Sequence, residues 1–406
     1  MNNQQPIPLN EMERIMALSE FDLDYSSIYD NLKDLTRLAA KVAGTDISLI
    51  NLIDSFTQWT VSSHGLELEQ MPREESVCQY TIVQPEEFEV QDLSADERFK
   101  DKFYVAGELG LRYYYGIPLR ASGQHIGALC VLDTAKHMLT PEKVELLKII
   151  ADEIVNRLQT LKVIDSLKNQ VSDISENQRR VAHDIRGPLG GIIGLAQIIS
   201  EQGDENNMEE VLEFINLIHK SGKSILELAD EILSLDKAKN KNNVEQLSSS
   251  DYNLVVLKDK LIKLYAPQAV NKKILFNVNI TPETGTIPFS KNKLLQIIGN
   301  LISNAIKFTP IEGSVTVNLS LKPDTANNTL DIEIEDTGVG MDQQKITQIL
   351  DGKGESTSGT GGEQGYGFGF ALVKHLVDTL KGKINIVSNM GKGSVIGLQL
   401  PMVKPG

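Results

Sequence analysis

The sequence has few cysteines, and neither of them belongs to a recognisable pattern. Only Cys78 and Cys130 occur in 406 residues, so the chain has no disulfide framework and no cysteine-based metal motif. Such scarcity is typical of a protein from a reducing compartment. The sequence also lacks a charged-then-apolar leader and any apolar run near the roughly 20 residues that span a bilayer. We therefore expect a cytoplasmic protein without membrane insertion.

Positive charge is also scarce. The chain has 40 Lys and Arg against 55 Asp and Glu, a formal net charge of −15. A nucleic-acid-binding protein needs a basic face, so we expect no nucleic-acid partner. The apolar content of 41% and the charged content of 23% are ordinary for a soluble globular protein. The length predicts two or three domains.

The first 160 residues alternate helix and strand patterns. Residues 1–20 are predicted to form a polar arm and a helix, and a second helix is expected over Phe21–Gly44. The segments DISLINLID and QWTVSSHG have strand patterns and flank a turn at Asp54–Thr57. LRYYYGIPLR and QHIGALCVLD predict a hairpin through Ala121–Gly123. A further helix is predicted to start at Thr140.

The segments VQDLSADERFKD and LGLRYYYGIPLRASGQHIGALCVLD, in this layout, resemble the GAF sensor family over about residues 20–160. The resemblance implies an α/β sensor whose pocket holds different ligands in different members, or none. The Cys–His pair of tetrapyrrole-binding members is not present, so photoreception is not expected. Cys78 is either a redox or ligand residue or a small buried hydrophobe. Residues that line such a pocket or, alternatively, pack in the core are Trp59, Cys78, Tyr80, Phe103, Tyr104 and Tyr113.

A long helix is predicted to leave this first domain. Apolar residues follow one another at steps of three or four from Ile150 to Val181, close to the spacing of 3.5 that winds two helices together. A single amphipathic helix packed on its own domain is the alternative. Because the pattern continues into the next helix without a break, we predict a parallel dimeric signalling helix.

The segment RVAHDIRGPLGGIIG has a histidine where core packing does not require one. His183 stands among the charges of Asp184 and Arg186, and Pro188 and several glycines weaken the helix, which makes them a candidate hinge. A second helix over about Met208–Lys239 has an apolar stripe that two antiparallel helices alone cannot bury. Two copies would form a four-helix bundle, so we predict a homodimer.

The last segment, about residues 250–403, alternates helices and strands as in an α/β sandwich. One helix, QIIGNLISNAIKFT, has Gln296, Asn300, Asn304 and Lys307 on a single face. Buried amides and a lysine require partners, and a phosphate with hydrated Mg²⁺ would supply them. Amide oxygens suit the hard cation and Lys307 suits phosphate. A solvated helix face is the alternative.

Two glycine-rich segments follow this helix. In DTGVGM, Asp336 stands at the end of a strand, and Gly338 and Gly340 permit tight turns beside a flat ligand. In GYGFGFALVKHLV, three glycines open a helix, where bare backbone N–H groups suit phosphate. These three are Gly365, Gly367 and Gly369.

The histidine helix, the asparagine helix and the two glycine segments together resemble the sensor histidine kinases of two-component systems over about residues 160–403. The resemblance implies that His183 accepts the γ-phosphoryl group of ATP. It implies that Asn300 and Asn304 bind Mg²⁺ and phosphate, and that Asp336 accepts a hydrogen bond from the adenine amino group. The glycines would form the lid. Asp184 would orient the imidazole of His183 and raise its basicity. We predict that Arg186 is also a catalytic residue.

The resulting prediction is an α+β multidomain protein. It comprises an arm (1–20), a GAF α/β sensor (21–160), a signalling helix with an antiparallel hairpin for dimerisation and histidine phosphotransfer (161–243), and an α/β-sandwich ATP-binding domain of the GHKL type (244–406). We expect an ATP- and Mg²⁺-dependent histidine kinase. Because the sequence ends at Gly406 without a receiver domain, we expect the phosphoryl group to pass to an aspartate of a separate response regulator.

The sequence departs from the family pattern and leaves two other functions open. Gly187 stands where the family has Thr or Asn, so we expect weak phosphatase activity. The phenylalanine-bearing segment before the lid is not evident, and Phe370 replaces the usual leucine after the last lid glycine. The first alternative is a GAF-centred scaffold with a degenerate ATP site. The second is an ATPase that uses the same fold mechanically.

Overall fold

The computed structural model describes residues 6–22, 29–202, 212–213, 215–223, 226, 252–289, 293–323, 328–350, 359–361 and 367–402. Within the long helix, the side chains of residues 165, 168–188 and 198–199 lie outside this description. The chain divides into two compact units. One comprises residues 1–164 and 251–403, and the other comprises residues 165–250 and 404–406. The predicted mixture of helices and sheets is confirmed.

The N-terminal part of the first unit is built on a six-stranded antiparallel sheet of order β3-β2-β1-β6-β5-β4. Its helices are α1 (Glu11–Ser19), α2 (Tyr29–Ala43), α3 (Cys78–Thr81) and α4 (Phe103–Ala106). Its strands are β1 (Ile47–Ile53), β2 (Thr57–His64), β3 (Gln70–Pro72), β4 (Phe88–Val90), β5 (Tyr113–Ala121) and β6 (Gln124–Asp133).

Two details of this sheet bear on the predictions. The β5–β6 hairpin turns as expected at Ser122 and Gly123, which have φ values of 51° and 76°. Every residue of β1 is buried. The reason is that β1 lies between β2 and β6 with apolar clusters on both sides of the sheet. Helix α2 is described over Tyr29–Ala43, Phe21 lies in a turn after α1, and the part of the predicted helix over 23–28 lies outside the described residues.

Helix α5 runs from Pro141 to Gln202 without interruption. Its first part packs on the sheet, since Ile150, Ile154 and Leu158 are at most 5% exposed in the core of the sensor. The predicted dimer seam therefore cannot start at Ile150. Farther along, Leu167 is 53% exposed. In the second predicted helix, residues 212–213, 215–223 and 226 are helical, and the rest of that prediction lies outside the described residues.

The C-terminal part of the first unit is a sheet of order β10-β11-β9-β8-β7 with helices on one face. Strands β7 and β8 are parallel, and the other neighbours are antiparallel. Its helices are α6 (Leu254–Asn271), α7 (Leu294–Phe308), α8 (Gln343–Leu350) and α9 (Phe368–Thr379). Its strands are β7 (Leu275–Ile280), β8 (Ser314–Lys322), β9 (Asn328–Asp336), β10 (Lys383–Ser388) and β11 (Ser394–Met402).

The inward side of this second sheet is apolar and its outward side is polar. In β9, buried residues alternate with half-buried or exposed ones along the strand, as expected for a sheet covered on one side. The side chain of Asn253 caps the N-terminus of α6, because its Oδ1 accepts a hydrogen bond from the backbone N–H of Val256 at 3.0 Å.

Among the helices in the described ranges, none is long and apolar enough to cross a bilayer.

Candidate functional site

Helix α7 presents polar side chains that are buried. Gln296, Asn300 and Lys307 are 7%, 3% and 6% exposed, and Asn304 is half-buried. The Nδ2 of Asn300 donates to the backbone carbonyl of Gln296 at 2.9 Å, which fixes the orientation of the amide. Within the described residues, the Oδ1 of Asn300 has no hydrogen-bond partner. An unpaired buried carbonyl oxygen costs about 1–3 kcal/mol, so this atom fits a ligand that supplies a cation or a donor.

The end of α7 is held by a network around Lys307. Its backbone carbonyl accepts the Nζ of Lys272 at 2.6 Å and the N–H of Thr360 at 3.1 Å. Its Nζ lies 4.8 Å from the ring centroid of Phe308. Lys272 and Thr360 therefore connect the segment 359–361 to the end of α7, next to the cation that would meet phosphate.

Asp336 ends β9 and lines the same pocket as Asn304 and Lys307. It is 8% exposed, and its Oδ1 accepts the backbone N–H of Gly338 at 2.8 Å. Burial raises the pKa of the Asp336 carboxyl, and hydrogen bonds from Gly338 and Ser394 oppose that rise only in part. A poorly solvated carboxyl oxygen of this kind suits a neutral N–H donor such as an aromatic amine.

The glycines after Asp336 are required by close backbone contacts. A Cβ on Gly338 would lie 2.5 Å from the carbonyl oxygen of Phe308 and 2.6 Å from Oδ1 of Asp336. Gly340 has a φ of 67°, and a Cβ there would lie 2.0 Å from the carbonyl oxygen of Asn389. Any side chain at these two positions would displace the carboxylate or the adjoining turn.

These elements enclose one pocket. Of the residues predicted from the sequence, it brings together Asn304, Lys307, Asp336, Gly340, Gly367 and Gly369. Its walls are mainly apolar, with Ile334, Met341, Ile349 and Ile396 among them. Asn300 lies directly behind this lining, since its Oδ1 is 2.9 Å from the position of a Cβ on Gly369. A mainly apolar pocket lined by a carboxylate, an amide and a lysine suits a purine nucleotide.

The lining residues that the sequence did not predict include Phe56, Lys345 and Ser394. Lys345 belongs to α8, which directly follows the first glycine segment. Its positive charge close to that segment is the only feature of the sequence that could have indicated a place in the pocket. Ser394 starts β11, and its hydrogen bonds to Asp336 depend on strand pairing. Phe56 comes from the β1–β2 turn, and no local pattern connects that turn with the nucleotide pocket.

The glycine-rich helix start is described in part. Gly367 precedes α9 with a φ of 78°, a left-handed conformation that favours glycine. Gly369 lies in the first turn of α9, where the backbone N–H groups have no partner within the helix, and Gly367 and Gly369 both line the pocket. Gly365 lies outside the described residues.

The candidate catalytic residues are located only by their backbone. His183, Asp184, Arg186 and Gly187 lie in α5, and their side chains are outside the described residues. Their predicted roles in phosphoryl transfer therefore stay predictions. The same holds for the hinge at Pro188, through which the helix assignment continues.

The candidate sensor-pocket residues lie in separate packed clusters. Trp59 packs with the second sheet's helices, Cys78 begins α3 and packs on one face of the sensor sheet, and Tyr113 lies on the face covered by α2 and α5. Tyr80 stacks on Phe88 with ring centroids 5.9 Å apart. Tyr104 is buried, whereas Phe103 is 51% exposed. Trp59, Cys78, Tyr80 and Tyr113 pack in these clusters, and their part in a sensor pocket stays a prediction.

Cys78 belongs to a buried polar cluster. Its Sγ lies 3.9 Å from Sγ of Cys130 and accepts hydrogen bonds from Nδ2 of Asn51 at 3.2 Å and from the hydroxyl of Tyr114 at 3.3 Å. Burial acts to raise the pKa of the Cys78 thiol, but these hydrogen bonds outweigh it and lower the pKa to about 7. Burial raises the pKa of Cys130, so one thiol of the pair ionises before the other.

Three family models match separate parts of the chain. A model described as a GAF domain matches residues 27–158. The His Kinase A (phospho-acceptor) domain matches residues 173–241. The model of the histidine kinase-, DNA gyrase B- and HSP90-like ATPases matches residues 290–404. The buried amides, Asp336 and the glycines of the pocket therefore belong to a domain of ATP-binding proteins.

Curated relatives resemble only part of the chain. The Autoinducer 2 sensor kinase/phosphatase LuxQ of Vibrio vulnificus is 32% identical over 231 residues, which cover 55% of this chain and 26% of that protein. The Aerobic respiration control sensor protein ArcB of Escherichia coli is 30% identical over 239 residues, which cover 58% of this chain and 30% of that protein. The matched segments thus span little more than a quarter of these relatives.

A solved structure shows weaker similarity. The crystal structure of histidine kinase ThkA in complex with response regulator protein TrrA is 19% identical, with a TM-score of 0.32 over 72% of this chain and 75% of that chain. A score this low does not establish a shared arrangement of domains.

Proposed function

We propose that this chain, which belongs to the sensor histidine kinases by its three matched domains and its curated relatives, is an ATP-dependent kinase that phosphorylates its own His183. The observation that supports this proposal most strongly is the pocket between α7, β9 and α9. It is lined by the buried Asp336 and Lys307, and the Oδ1 of Asn300 has no hydrogen-bond partner among the described residues. The carboxylate suits the adenine, and the amide oxygen and the lysine suit Mg²⁺ and the phosphates of a nucleotide.

Each pocket residue has a distinct part in this proposal. Asp336 accepts the adenine amino group, while the apolar walls contact the flat base. Lys307 and the N-terminal N–H groups of α9 contact phosphate oxygens. Asn300 and Asn304 would hold Mg²⁺, a hard cation that takes oxygen ligands and neutralises phosphate charge. Phosphoryl transfer depends chiefly on such positioning and charge neutralisation.

His183 is the proposed nucleophile. An imidazole with a pKa near about 6.5 is mostly neutral at neutral pH and offers one nitrogen lone pair. Asp184 is adjacent in sequence and is proposed to accept the other ring N–H, which fixes the tautomer and raises the basicity of the attacking nitrogen. Arg186 is proposed to contact the transferred phosphoryl group.

The proposed active form is a homodimer in the cytoplasm. Apolar side chains on α5 and on the following helical segment are exposed in the single chain: Leu189 is 44%, Ile193 58%, Leu212 54% and Ile215 49% exposed. Large apolar surface of this kind marks a protein–protein interface. Pairing of two such hairpins into a four-helix bundle would bury it.

The proposed phosphoryl acceptor downstream is an aspartate of a response regulator. The position that carries Thr or Asn in the family is Gly187 in this chain. Glycine has no side chain with which to position a hydrolytic water molecule, so we infer that the chain dephosphorylates its regulator weakly. No ligand is assigned to the GAF domain.

The direct test is incubation of the full chain with γ-³²P-labelled ATP and Mg²⁺. The proposal predicts acid-labile, base-stable label that is lost in His183→Gln and reduced in Asn300→Ala. His219→Gln is the matched control, because His219 lies on the following helical segment, and it should retain the label. Nucleotide binding without label would favour the scaffold, and ATP turnover without phosphoprotein would favour a mechanical ATPase.

A further inference from the structure

The sensor sheet reaches the nucleotide pocket through the turn between β1 and β2. This turn is Asp54–Thr57, and the ring of Phe56 lines the pocket. The Cε2 and Cζ atoms of Phe56 lie 2.5 Å and 3.0 Å from the position of a Cβ on Gly369. The Nζ of Lys307 lies 5.8 Å from the centroid of the same ring. Phe56 therefore contacts the pocket at the end that holds the phosphate-binding candidates.

Further contacts dock the same hairpin beside the pocket. The ring of Trp59 meets the ring of Tyr265 edge-on, with centroids 5.9 Å apart, and Trp59 is only 3% exposed. The Nε2 of Gln268 donates to Oε1 of Gln70 at 2.8 Å and to Oγ1 of Thr57 at 3.3 Å. The Nε2 of Gln70 donates to the carbonyl of Leu264 at 2.8 Å. These contacts make the docking specific.

A buried ion cluster holds the turn in shape. Arg14 and Arg73, both fully buried, contact the carboxylate of Glu11. The Nη1 of Arg14 also donates to the carbonyl of Ile53 at 2.6 Å, and the backbone N–H of Arg73 donates to the carbonyl of Phe56 at 2.8 Å. The backbone on either side of Phe56 is thus anchored, so the ring is held in place by the sensor domain.

The position of the ring conflicts with the chemistry of the pocket around it. Next to Phe56 are the unpaired Oδ1 of Asn300 and the ammonium of Lys307, which suit Mg²⁺ and phosphate. An aromatic ring supplies no hydrogen bond to the amide oxygen of Asn300. The Mg²⁺ that accompanies a triphosphate would give that oxygen a partner. The ring and the phosphates are therefore alternative occupants of the same space.

We propose that the turn Asp54–Thr57 is a wedge through which the sensor domain excludes the phosphates of ATP from the pocket. This inference rests on the proposed nucleotide site. While the turn is docked against that site, Phe56 excludes the phosphates. The adenine end, around Asp336, stays accessible. Withdrawal of the hairpin from α6 and α9 admits the triphosphate, so the nucleotide affinity depends on the state of the sensor.

The test compares Mg·ATP with adenosine in calorimetric titrations of the full chain. If the turn is docked in about nine of ten molecules, only about one molecule in ten can bind the triphosphate. The apparent Kd for ATP is then about tenfold above the intrinsic Kd of the open pocket. Phe56→Ala should therefore bind Mg·ATP about tenfold more tightly than the wild type, with adenosine affinity within about twofold. Phe103→Ala is the matched control, because it removes an exposed phenylalanine of the same domain outside the pocket lining.

A second variant tests the docking without changing the pocket. Gln268→Ala removes the contacts to Gln70 and Thr57 and should also tighten Mg·ATP binding. Weaker or unchanged ATP binding in both variants would overturn the wedge, and so would an equal gain for adenosine. A gain in ATP affinity without any phosphohistidine would support the wedge while refuting the proposed kinase function.

Discussion

Replacement of Asp336 by asparagine should weaken nucleotide binding and stabilise the empty protein. In the wild type, Oδ1 of Asp336 accepts the backbone N–H of Gly338 at 2.8 Å, and the side-chain oxygen of asparagine can accept the same hydrogen bond. The substitution removes the negative charge that would receive the adenine amino group. A hydrogen bond to a charged group contributes about 1.5–3 kcal/mol. The Kd for Mg·ATP should therefore rise about tenfold to somewhat more than a hundredfold.

The stability effect has the opposite sign because of the raised pKa of Asp336. A carboxyl whose pKa is higher in the folded state binds its proton more tightly there, so its charged form destabilises the fold above that pKa. Asparagine removes this penalty. Asp336→Asn should unfold at higher urea concentration than the wild type at neutral pH, and the difference should shrink as the pH falls through the raised pKa.

The assay is a paired measurement of calorimetric ATP binding and urea unfolding on the full chain. Asp378→Asn is the control, since Asp378 is an exposed residue of α9, and it should change neither quantity appreciably. Unchanged ATP affinity in Asp336→Asn would show that adenine does not contact this carboxylate. A loss of stability at neutral pH would show that the carboxylate is needed for folding, contrary to the pKa argument.

Three further predictions concern other parts of the chain. Gly340→Ala should lower the free energy of unfolding by at least about 1–2 kcal/mol, because its φ of 67° is unfavourable for alanine, and chemical denaturation measures this. Arg73→Met should destabilise by about 3–5 kcal/mol because it leaves the buried Glu11 short of a partner, whereas adding Glu11→Leu should restore part of the loss. Burial acts to raise the pKa of Glu11, but Arg14 and Arg73 outweigh it and lower that pKa. The contribution of these ion pairs to the free energy of unfolding should therefore be complete at neutral pH and lost as the pH falls through the lowered pKa of Glu11. Gly187→Thr should increase dephosphorylation of a phosphorylated regulator, and an unchanged rate would contradict the role given to Gly187.

The parts of the fold that depend on local pattern were predictable. The β5–β6 hairpin, the strand β9 that ends at Asp336 and the polar face of α7 all follow from periodicity and glycine placement within short segments. The pocket residues on α7 were identified because buried amides require partners wherever the helix packs. Their grouping with Asp336 follows from the matched domain.

The parts that depend on contacts between distant segments were not predictable. The burial of both faces of β1 depends on what covers the sheet, and the strand pattern of the segment does not indicate it. Arg14 and Arg73 have no local signal of burial, because charged residues are usually exposed unless paired. The contact between Phe56 and Gly369 joins the two ends of the first unit, and no pattern within either segment indicates it.

The central claim is that this nucleotide pocket supplies a phosphoryl group to His183. The most direct measurement is mapping of the phosphorylated residue by mass spectrometry under neutral or alkaline conditions, after the full chain is incubated with ATP and Mg²⁺. The account predicts phosphohistidine at His183 in the wild type and, after the same short incubation at an ATP concentration between the two Kd values, much less of it in Asp336→Asn. Phosphate on a different residue, or stable ATP binding with an unmodified His183, would contradict it.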